Sequence, residues 1–338
     1  MSNRIALPQG SFTVDSFGAS ASPITLSDAQ LSSGMAFLRG ELEKLDPKLR
    51  EPLTSVTWQR DIPVQTGGGW VDGISTFHTN YATSGAKGAS IMGRETNLLP
   101  TMQADIGRDT WRTFDWGHKM RVPIVDQQRL QQIGRSLEQQ LNDGIRLAYD
   151  KELDQNVYAG LPGQNSYGLI NSPLITTETA ENGSGGDSEW TSKTPQEIMT
   201  DINSVLVETW KASEYDLTGM ANHVLIPPAQ FAYINNTLAT LNDSIYTYLT
   251  RNNIAKSQGV DLVIMPCRWC EGAGDGGVDR MVAYANNMDR VRFSITVPIH
   301  RAFTQPNADD MSYITPYLAQ FSEVQWLYTQ HAFYLDGI

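Results

Sequence analysis

The chain has 338 residues, of which 40% are hydrophobic and 18% charged, so it is long and apolar enough to fold around a sizeable core. It carries 25 Lys and Arg residues against 37 Asp and Glu residues, and the formal net charge of -12 disfavours a protein that binds nucleic acid through clustered cations. This charge does not exclude a container that encloses nucleic acid. No apolar run approaches the roughly 18 residues of a membrane span, and residues 1–10 lack the apolar core of a secretory signal, which predicts a cytoplasmic product.

The first predicted element is an amphipathic helix that follows an arm rich in Ser, Gly, Ala and Pro. Ser27 and Gln30 form a capping-box sequence, and Pro47 ends the pattern. A helix on an extended arm needs a surface to pack against, which a neighbouring subunit or its own chain could supply. The apolar positions recur at alternating steps of four and three residues: Leu31, Met35, Leu38, Leu42 and Leu45.

Residues 53–62 place Val56, Trp58 and Ile62 in alternation with polar side chains and predict a strand. Three consecutive glycines, 67–69, come soon after it. Neither a Lys-Ser/Thr pair nor a Gly-x-Gly-x-x-Gly spacing accompanies them, so they predict a turn or bulge rather than a phosphate-binding loop.

Residues 70–116 show no sustained period of either kind, yet they are rich in large apolar side chains that are costly to leave in water. We interpret them as a long β-rich excursion whose apolar side chains are buried against other subunits. Residues 110–121 close the excursion as a strand that leads directly into a helix. The apolar residues that we assign to contacts with a neighbour include Trp70, Phe77, Tyr81, Ile91, Met92, Leu98, Leu99, Met102, Ile106, Trp111, Phe114 and Trp116.

The longest predicted element is a helix over residues 125–158, bounded by Pro123 and Gly160. A helix of this length would span roughly 50 Å. One of its faces is polar, so it is a spine along which the rest of the chain packs rather than a membrane span. The other face carries apolar residues at steps of three and four: Leu130, Ile133, Leu137, Leu141, Ile145, Ala148, Leu153 and Val157.

The second half of the chain alternates helical and strand patterns and predicts a compact α/β lobe. Thr194, Pro195 and Glu197 form a strong helix start, whereas residues 179–192 predict a polar surface loop. The further elements predicted for the lobe are strands at 223–226 and 260–265, helices at 227–234 and 243–252, and a hairpin that pairs 280–284 with 291–297. Residues 311–334 predict closing strands that pack against the spine helix through Phe321, Val324, Trp326 and Tyr328.

The sequence contains no nucleophile elbow, zinc-protease helix, calcium loop or Walker sequence, and its five histidines are scattered singly. Asp150 and Asp154 share a helical face, where paired acids are usually solvated. Cys267 and Cys270 are the only cysteines, and a single Cys-x-x-Cys predicts two reduced thiols at a strand end rather than a zinc or redox site. We therefore predict no catalytic residue, no metal and no cofactor, although a triad is defined by spatial geometry and stays open here.

The order of these parts resembles the major capsid protein of tailed phages, which has the Hong Kong 97 fold. In that α+β fold the parts are called N-arm, E-loop, spine helix, A-domain and P-domain. Three local segments are also similar to one phage capsid subfamily: Leu45-Asp46-Pro47 to Pro63, Tyr167-Gly168-Leu169-Ile170-Asn171-Ser172-Pro173, and Asp279-Arg280-Met281-Val282-Ala283-Tyr284.

The resemblance implies a division of the chain into five parts. These are an N-terminal arm with its amphipathic helix at 1–52, a P-domain strand and the extended, β-rich E-loop at 53–123, the long spine helix and a following P-domain loop at 124–193, an α/β A-domain at 194–300, and C-terminal P-domain strands at 301–338.

The resemblance also implies self-assembly of pentamers and hexamers into an icosahedral phage head that encloses double-stranded DNA without reading its sequence. Leu31, Met35, Leu38 and the excursion would then contact neighbouring subunits. Some family members link an E-loop Lys covalently to an Asn of a neighbour, and Lys87 is the only Lys in the excursion. Because the segment before Leu53 is short, a separate scaffolding protein is expected, together with a portal and decoration proteins, in a virion assembled in the host cytoplasm.

Two other classes of protein remain open on the sequence alone. An encapsulin-type compartment uses the same fold to enclose an enzyme, and a terminase or portal gene beside this one would argue against it. A soluble α+β enzyme would form a small oligomer with a pocket of convergent polar groups.

Overall fold

The computed structural model describes residues 13–14, 24–25, 56–84, 100–132, 137–239 and 243–338. The chain divides into two compact units, Met1–Thr54 and Ser55–Ile338. In the first unit, β1 (Thr13–Val14) and β2 (Ile24–Thr25) pair antiparallel. The arm helix predicted with Leu31, Met35 and Leu38 lies outside the described residues.

The second unit begins with a helical turn, a short strand, a long hairpin and the helices of the spine. In chain order these are α1 (Trp58–Asp61), β3 (Val64–Thr66), β4 (Gly73–Thr83), β5 (Met102–Pro123), α2 (Ile124–Gln132) and α3 (Leu137–Ala159).

The rest of the second unit alternates strands with helices and then closes with strands. The elements are β6 (Thr176–Thr179), α4 (Pro195–Ala212), β7 (His223–Ile226), α5 (Pro228–Asn236), α6 (Ile245–Arg251), α7 (Ile254–Ser257), β8 (Val263–Pro266), β9 (Arg280–Tyr284), β10 (Val291–Ile295), β11 (Val297–Arg301), β12 (Gln305–Asn307), β13 (Ser312–Ser322), β14 (Gln325–Trp326) and β15 (Ala332–Asp336). Short 3-10 helices occur at Pro162–Gln164, Trp190–Ser192, Arg268–Cys270, Asp275–Gly277 and Thr329–His331.

The described strands of the second unit form three sheets. One sheet has the order β11-β13-β5-β4, with β12 paired to β13, and a second has the order β6-β15-β9-β7-β8. In the third, β10 lies between β14 and β3. The unit is therefore a mixed α+β fold, because long antiparallel strands and parallel pairs such as β7 with β8 occur together.

Two hydrophobic clusters fill the second unit. The first joins α3 to the strands around β5, β10 and β13, and it contains Leu153, Val157, Trp116, Phe293 and Phe321. The second lies between the lobe helices and the lobe sheet. Strands β7, β9 and β15 are buried along their whole length, as expected for the central strands of a sheet covered on both faces.

The predicted spine is helical on both sides of residues 133–136, which lie outside the described residues, so one uninterrupted rod stays a prediction. The predicted apolar face of α3 is confirmed, since Ile145, Leu153 and Val157 are buried in the first cluster and Leu141 packs against it. The capping box is also confirmed: Glu197 N donates to Thr194 Oγ1 at 3.4 Å, and Thr194 N donates to Glu197 Oε2 at 2.7 Å.

The strand predicted over residues 53–62 is wrong for its last part, because residues 58–61 form the helical turn α1. Trp58 and Ile62 are four residues apart, and a helical turn places both on one side as well as a strand does. Both are buried in the first cluster. The three glycines 67–69, where a turn or bulge was predicted, lie outside any strand and all have positive φ, between 73° and 117°, a conformation that glycine adopts readily.

The predicted hairpin of residues 280–284 with 291–297 is also wrong. Strand β9 pairs with β15 and β7 in the lobe sheet, whereas β10 pairs with β14 and β3. All five residues of β9 are buried, and distant strands supply the partners on both of its edges. The connection between β9 and β10 therefore carries the chain from one sheet to another.

Trp190 and Tyr328 also differ from the sequence-based interpretation. Trp190, placed in a surface loop, is buried, and its Nε1 donates to Asp201 at 3.0 Å. Tyr328, predicted to pack on the spine, is half-exposed and lies instead under the Arg290 guanidinium, 4.8 Å from its ring centre. Phe321 does reach the spine helix, with its ring 6.4 Å from that of Tyr149.

Candidate functional site

Strand β5 has two different environments along its 22 residues. Its second half, from Thr113 to Pro123, pairs with β13. We call the second unit without the first half of β5 and its partner β4 the body. Its first half pairs with β4 over eleven positions, from Thr83 opposite Met102 to Gly73 opposite Arg112. Residues 73–83 and 102–112 therefore form a two-stranded extension, which we call the ribbon.

The ribbon has one apolar face, and the strand register shows which residues share it. Phe77 lies opposite Arg108, Thr79 opposite Ile106, Tyr81 opposite Ala104 and Thr83 opposite Met102, and residues directly opposite each other project from the same face. We call the four large side chains of this face the apolar strip: Phe77, Tyr81, Met102 and Ile106. They are 70%, 70%, 72% and 68% exposed.

The apolar strip lies on the face of β5 that faces the core further along the strand. Side chains two residues apart share a face, so Met102 and Ile106 are in line with Trp116, Met120 and Val122. Those three are buried, and the Trp116 ring lies 5.0 Å from Tyr149 of α3. The strand thus continues a core-facing surface past the point where the described part of its own chain covers it.

The opposite face of the ribbon is polar in its outer part and approaches the body at its base. The polar residues are His78, Asn80, Gln103, Asp105 and Asp109. At the base, a cleft of about 590 Å3 separates this face from Trp326, Leu327 and Tyr328. The two faces of the ribbon therefore differ in chemistry.

The structure separates the contact residues that the sequence predicted into three groups. Phe77 and Tyr81 lie in the apolar strip, Trp70 is 54% exposed beside His300, and Trp111 is half-buried at the ribbon base. Trp116 is instead a core residue, so its assignment to a neighbour contact is wrong, and Phe114 packs against the same core. The remaining candidates lie outside the described residues: Leu31, Met35, Leu38, Lys87, Ile91, Met92, Leu98 and Leu99.

Asp154 is a buried anchor rather than a solvated acid, which corrects the interpretation made from the sequence. Its Oδ1 accepts the backbone N–H groups of Thr57 and Trp58, at 2.9 and 3.2 Å. Its Oδ2 accepts from Arg268 at 3.0 Å and from Trp269 Nε1 at 2.8 Å. One carboxylate thus connects α3, the start of α1 and the 3-10 helix that follows β8.

Asp61 is a second fully buried carboxylate, which is linked to Asp154 by hydrogen bonds through Tyr158 and Thr57. Arg60 donates to both of its oxygens, at 2.6 and 2.8 Å, His223 Nε2 lies 3.2 Å away, and Tyr158 donates its hydroxyl proton. Burial acts to raise the pKa of Asp61, but these hydrogen bonds outweigh it and lower the pKa below the usual value. Asp61, Asp154 and their partners form what we call the buried junction.

The lowered pKa of Asp61 predicts a loss of stability in acid that depends on this residue. The ionised carboxylate contributes stability that is fully present above about pH 4 and is lost as the pH falls through the folded pKa. We expect Asp61→Asn to cost on the order of 2 kcal/mol near neutral pH, because charged hydrogen bonds are lost. The difference in unfolding free energy between wild type and variant should narrow below about pH 4. Denaturant unfolding across pH measures this, and parallel curves down to pH 2 would contradict it.

The two cysteines are free thiols buried beside the junction. A hydrogen bond with Cys267, together with burial, raises the pKa of Cys270 well above its usual range. Buried thiols of this kind are unreactive. Among the described side chains, no group of three or more His, Cys, Asp or Glu residues is placed to hold a metal ion. No helix in the described ranges combines the length and the hydropathy needed to cross a bilayer.

Three solved structures show which fold this architecture belongs to. The capsid of Myoviridae phage XM1 has a TM-score of 0.73 at 14% identity, over 88% of this chain and 98% of that chain. The capsid of a native GTA particle has a TM-score of 0.59 at 10% identity, over 87% and 94%. A structure from Mycobacterium phage Cain has a TM-score of 0.54 at 14% identity, over 89% and 92%.

These likenesses, together with the spine helix, the long hairpin and the α/β lobe, show that the chain has the fold of these phage capsids, the Hong Kong 97 fold. Residues 87–338 match the family described as major capsid protein, and the chain belongs to that family. A comparison with curated protein sequences gives no significant match. The function of this chain is therefore to form the shell of a virion.

Proposed function

We propose that copies of this chain assemble through pentamers and hexamers into an icosahedral phage head that encloses double-stranded DNA. The observation that carries this proposal is the apolar strip on the ribbon. Its four side chains continue a core-facing surface, yet they are about 70% exposed in the single subunit. The net charge of -12 fits a container that holds DNA without reading its sequence.

The proposed contact places the ribbon of one subunit over the surface of the next. A hairpin of two strands is marginally stable in water, and burying one of its faces against another surface stabilises it. The strip supplies the apolar area for such a contact, and Trp70 is a further exposed aromatic residue on the same segment. We propose that the candidates outside the described residues, Lys87 and Leu98 among them, also take part in this contact.

We further propose that the five-part division of the chain holds, with an arm at 1–52, an E-loop segment at 53–123, a spine segment at 124–193, an A-domain at 194–300 and closing P-domain strands at 301–338. The lobe sheet also takes β6 and β15, from the segments on either side of the proposed A-domain. Chain segments that are distant in sequence therefore meet in this sheet.

Other proteins complete the proposed head. A separate scaffolding protein, a portal and decoration proteins are its expected partners, and assembly takes place in the host cytoplasm. The shell itself is proposed to need no catalytic step, no metal and no disulfide, which fits the buried free thiols of Cys267 and Cys270.

Electron microscopy of the purified protein, alone and with its scaffolding protein, tests this function. Closed shells with five-fold vertices are expected, and heads from infected cells should contain double-stranded DNA that is protected from nuclease. Stable monomers or dimers under all assembly conditions would contradict the proposal. Particles that hold a protein cargo and no DNA would show instead a compartment of the encapsulin type.

A further inference from the structure

We propose that His78 and Gly107 act together as a register lock, which positions the ribbon so that its apolar strip is presented to a neighbouring subunit. His78 lies directly opposite Gly107 in the antiparallel pairing of β4 with β5. The proposal rests on the proposed function only for what the strip contacts. The lock itself is a property of the single subunit.

The imidazole of His78 lies in the space that any other residue at position 107 would fill. A Cβ atom added to Gly107 would come within 2.1 Å of His78 Nε2 and 2.4 Å of Cε1, far inside contact distance. The other ring nitrogen, Nδ1, lies 3.2 Å from Asp109 Oδ2, on the same face of the ribbon. The ring therefore covers the glycine and reaches the carboxylate two residues further along.

The ribbon needs such a device because its stability depends on cross-strand pairs. At its base, Arg108 donates to Ser75 at 2.8 Å. At its outer end, Ser84 N donates to Thr101 O at 2.9 Å. His78 and Gly107 lie between these two contacts, and Asp109 lies next to Arg108.

The lock also favours the observed strand register over registers shifted by one or two residues. A shift of β4 by one residue would turn Phe77 and Tyr81 to the opposite face of the ribbon from Met102 and Ile106, which would divide the apolar strip. A shift by two residues would place His78 opposite Asp105 or Asp109, and the side chain of that residue would occupy the space that the ring fills over Gly107 in the observed register. A glycine inside a strand is otherwise unfavourable, and an aromatic ring that covers it across the strand compensates for this.

Four variants of the full chain test the lock. Gly107→Ala places a methyl group in the space that the His78 imidazole occupies, and His78→Ala removes the imidazole. The double variant His78→Ala, Gly107→Ala gives the methyl group room. Gly117→Ala is the matched control on the same strand, because a Cβ there would meet its nearest atom, in Leu318, at 3.6 Å.

Amide hydrogen exchange on unassembled subunits measures the lock without reference to shells. We expect Gly107→Ala to raise exchange within residues 73–83 and 102–112 by roughly tenfold or more, with the body unaffected. The double variant should exchange no faster than His78→Ala alone, since the methyl group no longer meets the ring. Gly117→Ala should match the wild type. The lock would be overturned if the increases in exchange caused by the two single substitutions simply added in the double variant. It would also be overturned if Gly107→Ala exchanged as slowly as Gly117→Ala.

Shell yield, measured by sedimentation for the same variants, tests the link to assembly. We expect Gly107→Ala to lose most of its shells and the double variant to recover part of them relative to Gly107→Ala. Normal shell yield from Gly107→Ala despite a loosened ribbon would overturn the positioning role. If no variant and no wild-type sample forms shells, the proposed function fails while the exchange result still decides on the lock.

Discussion

Replacing Phe77 and Ile106 with aspartate is expected to abolish shell formation while each subunit stays folded. Both side chains belong to the apolar strip and are about 70% exposed in the subunit, so their loss removes little from its core. In a contact with a neighbour, each would contribute roughly 1.5–3 kcal/mol by burial, and an aspartate there would have to lose its water without a partner. The same loss of binding free energy occurs at every such contact in a shell.

The matched control places the same charge on the other face of the ribbon. Asn80→Asp with Gln103→Glu also adds two negative charges, within the same pair of strands, but on the polar face. Circular dichroism should show wild-type helix content for both double variants. Sedimentation and electron microscopy should show shells for the control alone. Shells of normal yield from the aspartate variant would mean that the strip is not an assembly contact.

Replacing Asp154 with alanine is expected to lower the unfolding free energy by about 3 kcal/mol or more, which is a large share of the stability of a typical domain. The side chain is fully buried and accepts four hydrogen bonds. Its removal leaves two backbone N–H groups and the indole N–H of Trp269 without a hydrogen-bond acceptor. Arg268 is half-exposed and can turn to water, so it adds little to this cost.

Asp143→Ala provides the control, because Asp143 is an exposed carboxylate on the same helix. Its effect should stay within about 0.5 kcal/mol. Asp154→Asn should fall between the two, since one amide oxygen still accepts hydrogen bonds while the charge is lost. Denaturant unfolding of isolated subunits measures all three variants. An Asp154→Ala subunit as stable as Asp143→Ala would show that the junction does not hold these elements together.

The elements that could be predicted from the sequence are those whose signals are local. The capping box at Thr194 and the apolar face of α3 depend on spacing within one helix, and both are confirmed. The hairpin predicted for residues 280–284 failed, because strand pairing depends on partners that are distant in the chain. Strand β9 pairs with β15, about 50 residues away along the chain, and no local pattern contains that information.

The buried junction shows why a polar residue on a helix is hard to interpret without the fold. Asp154 lies three residues before Val157, so its position on the core side of α3 was available from helical spacing. The residues that satisfy it come from α1 and from the segment after β8, more than 95 residues away in each direction. Only the folded chain brings those donors to the carboxylate.

The apolar strip was predicted as a set of residues but not as a surface. Phe77 and Tyr81 are four residues apart with Thr79 between them, so strict alternation of apolar and polar residues is absent. The register with β5 brings Ile106 and Met102 onto the same face and makes the surface continuous. Trp116 was assigned to a contact with a neighbour because the sequence does not show where the core ends along β5.

Strand β5 passes into α2 with no intervening loop, since β5 ends at Pro123 and α2 begins at Ile124. A displacement applied at the outer end of the ribbon therefore cannot be absorbed by slack chain. It must bend the sheet, break cross-strand hydrogen bonds or move the helix, and each of these changes stores elastic energy in the subunit. If the ribbon contacts a neighbouring subunit as we propose, the position of a subunit among its neighbours is mechanically coupled to the shape of its own interior.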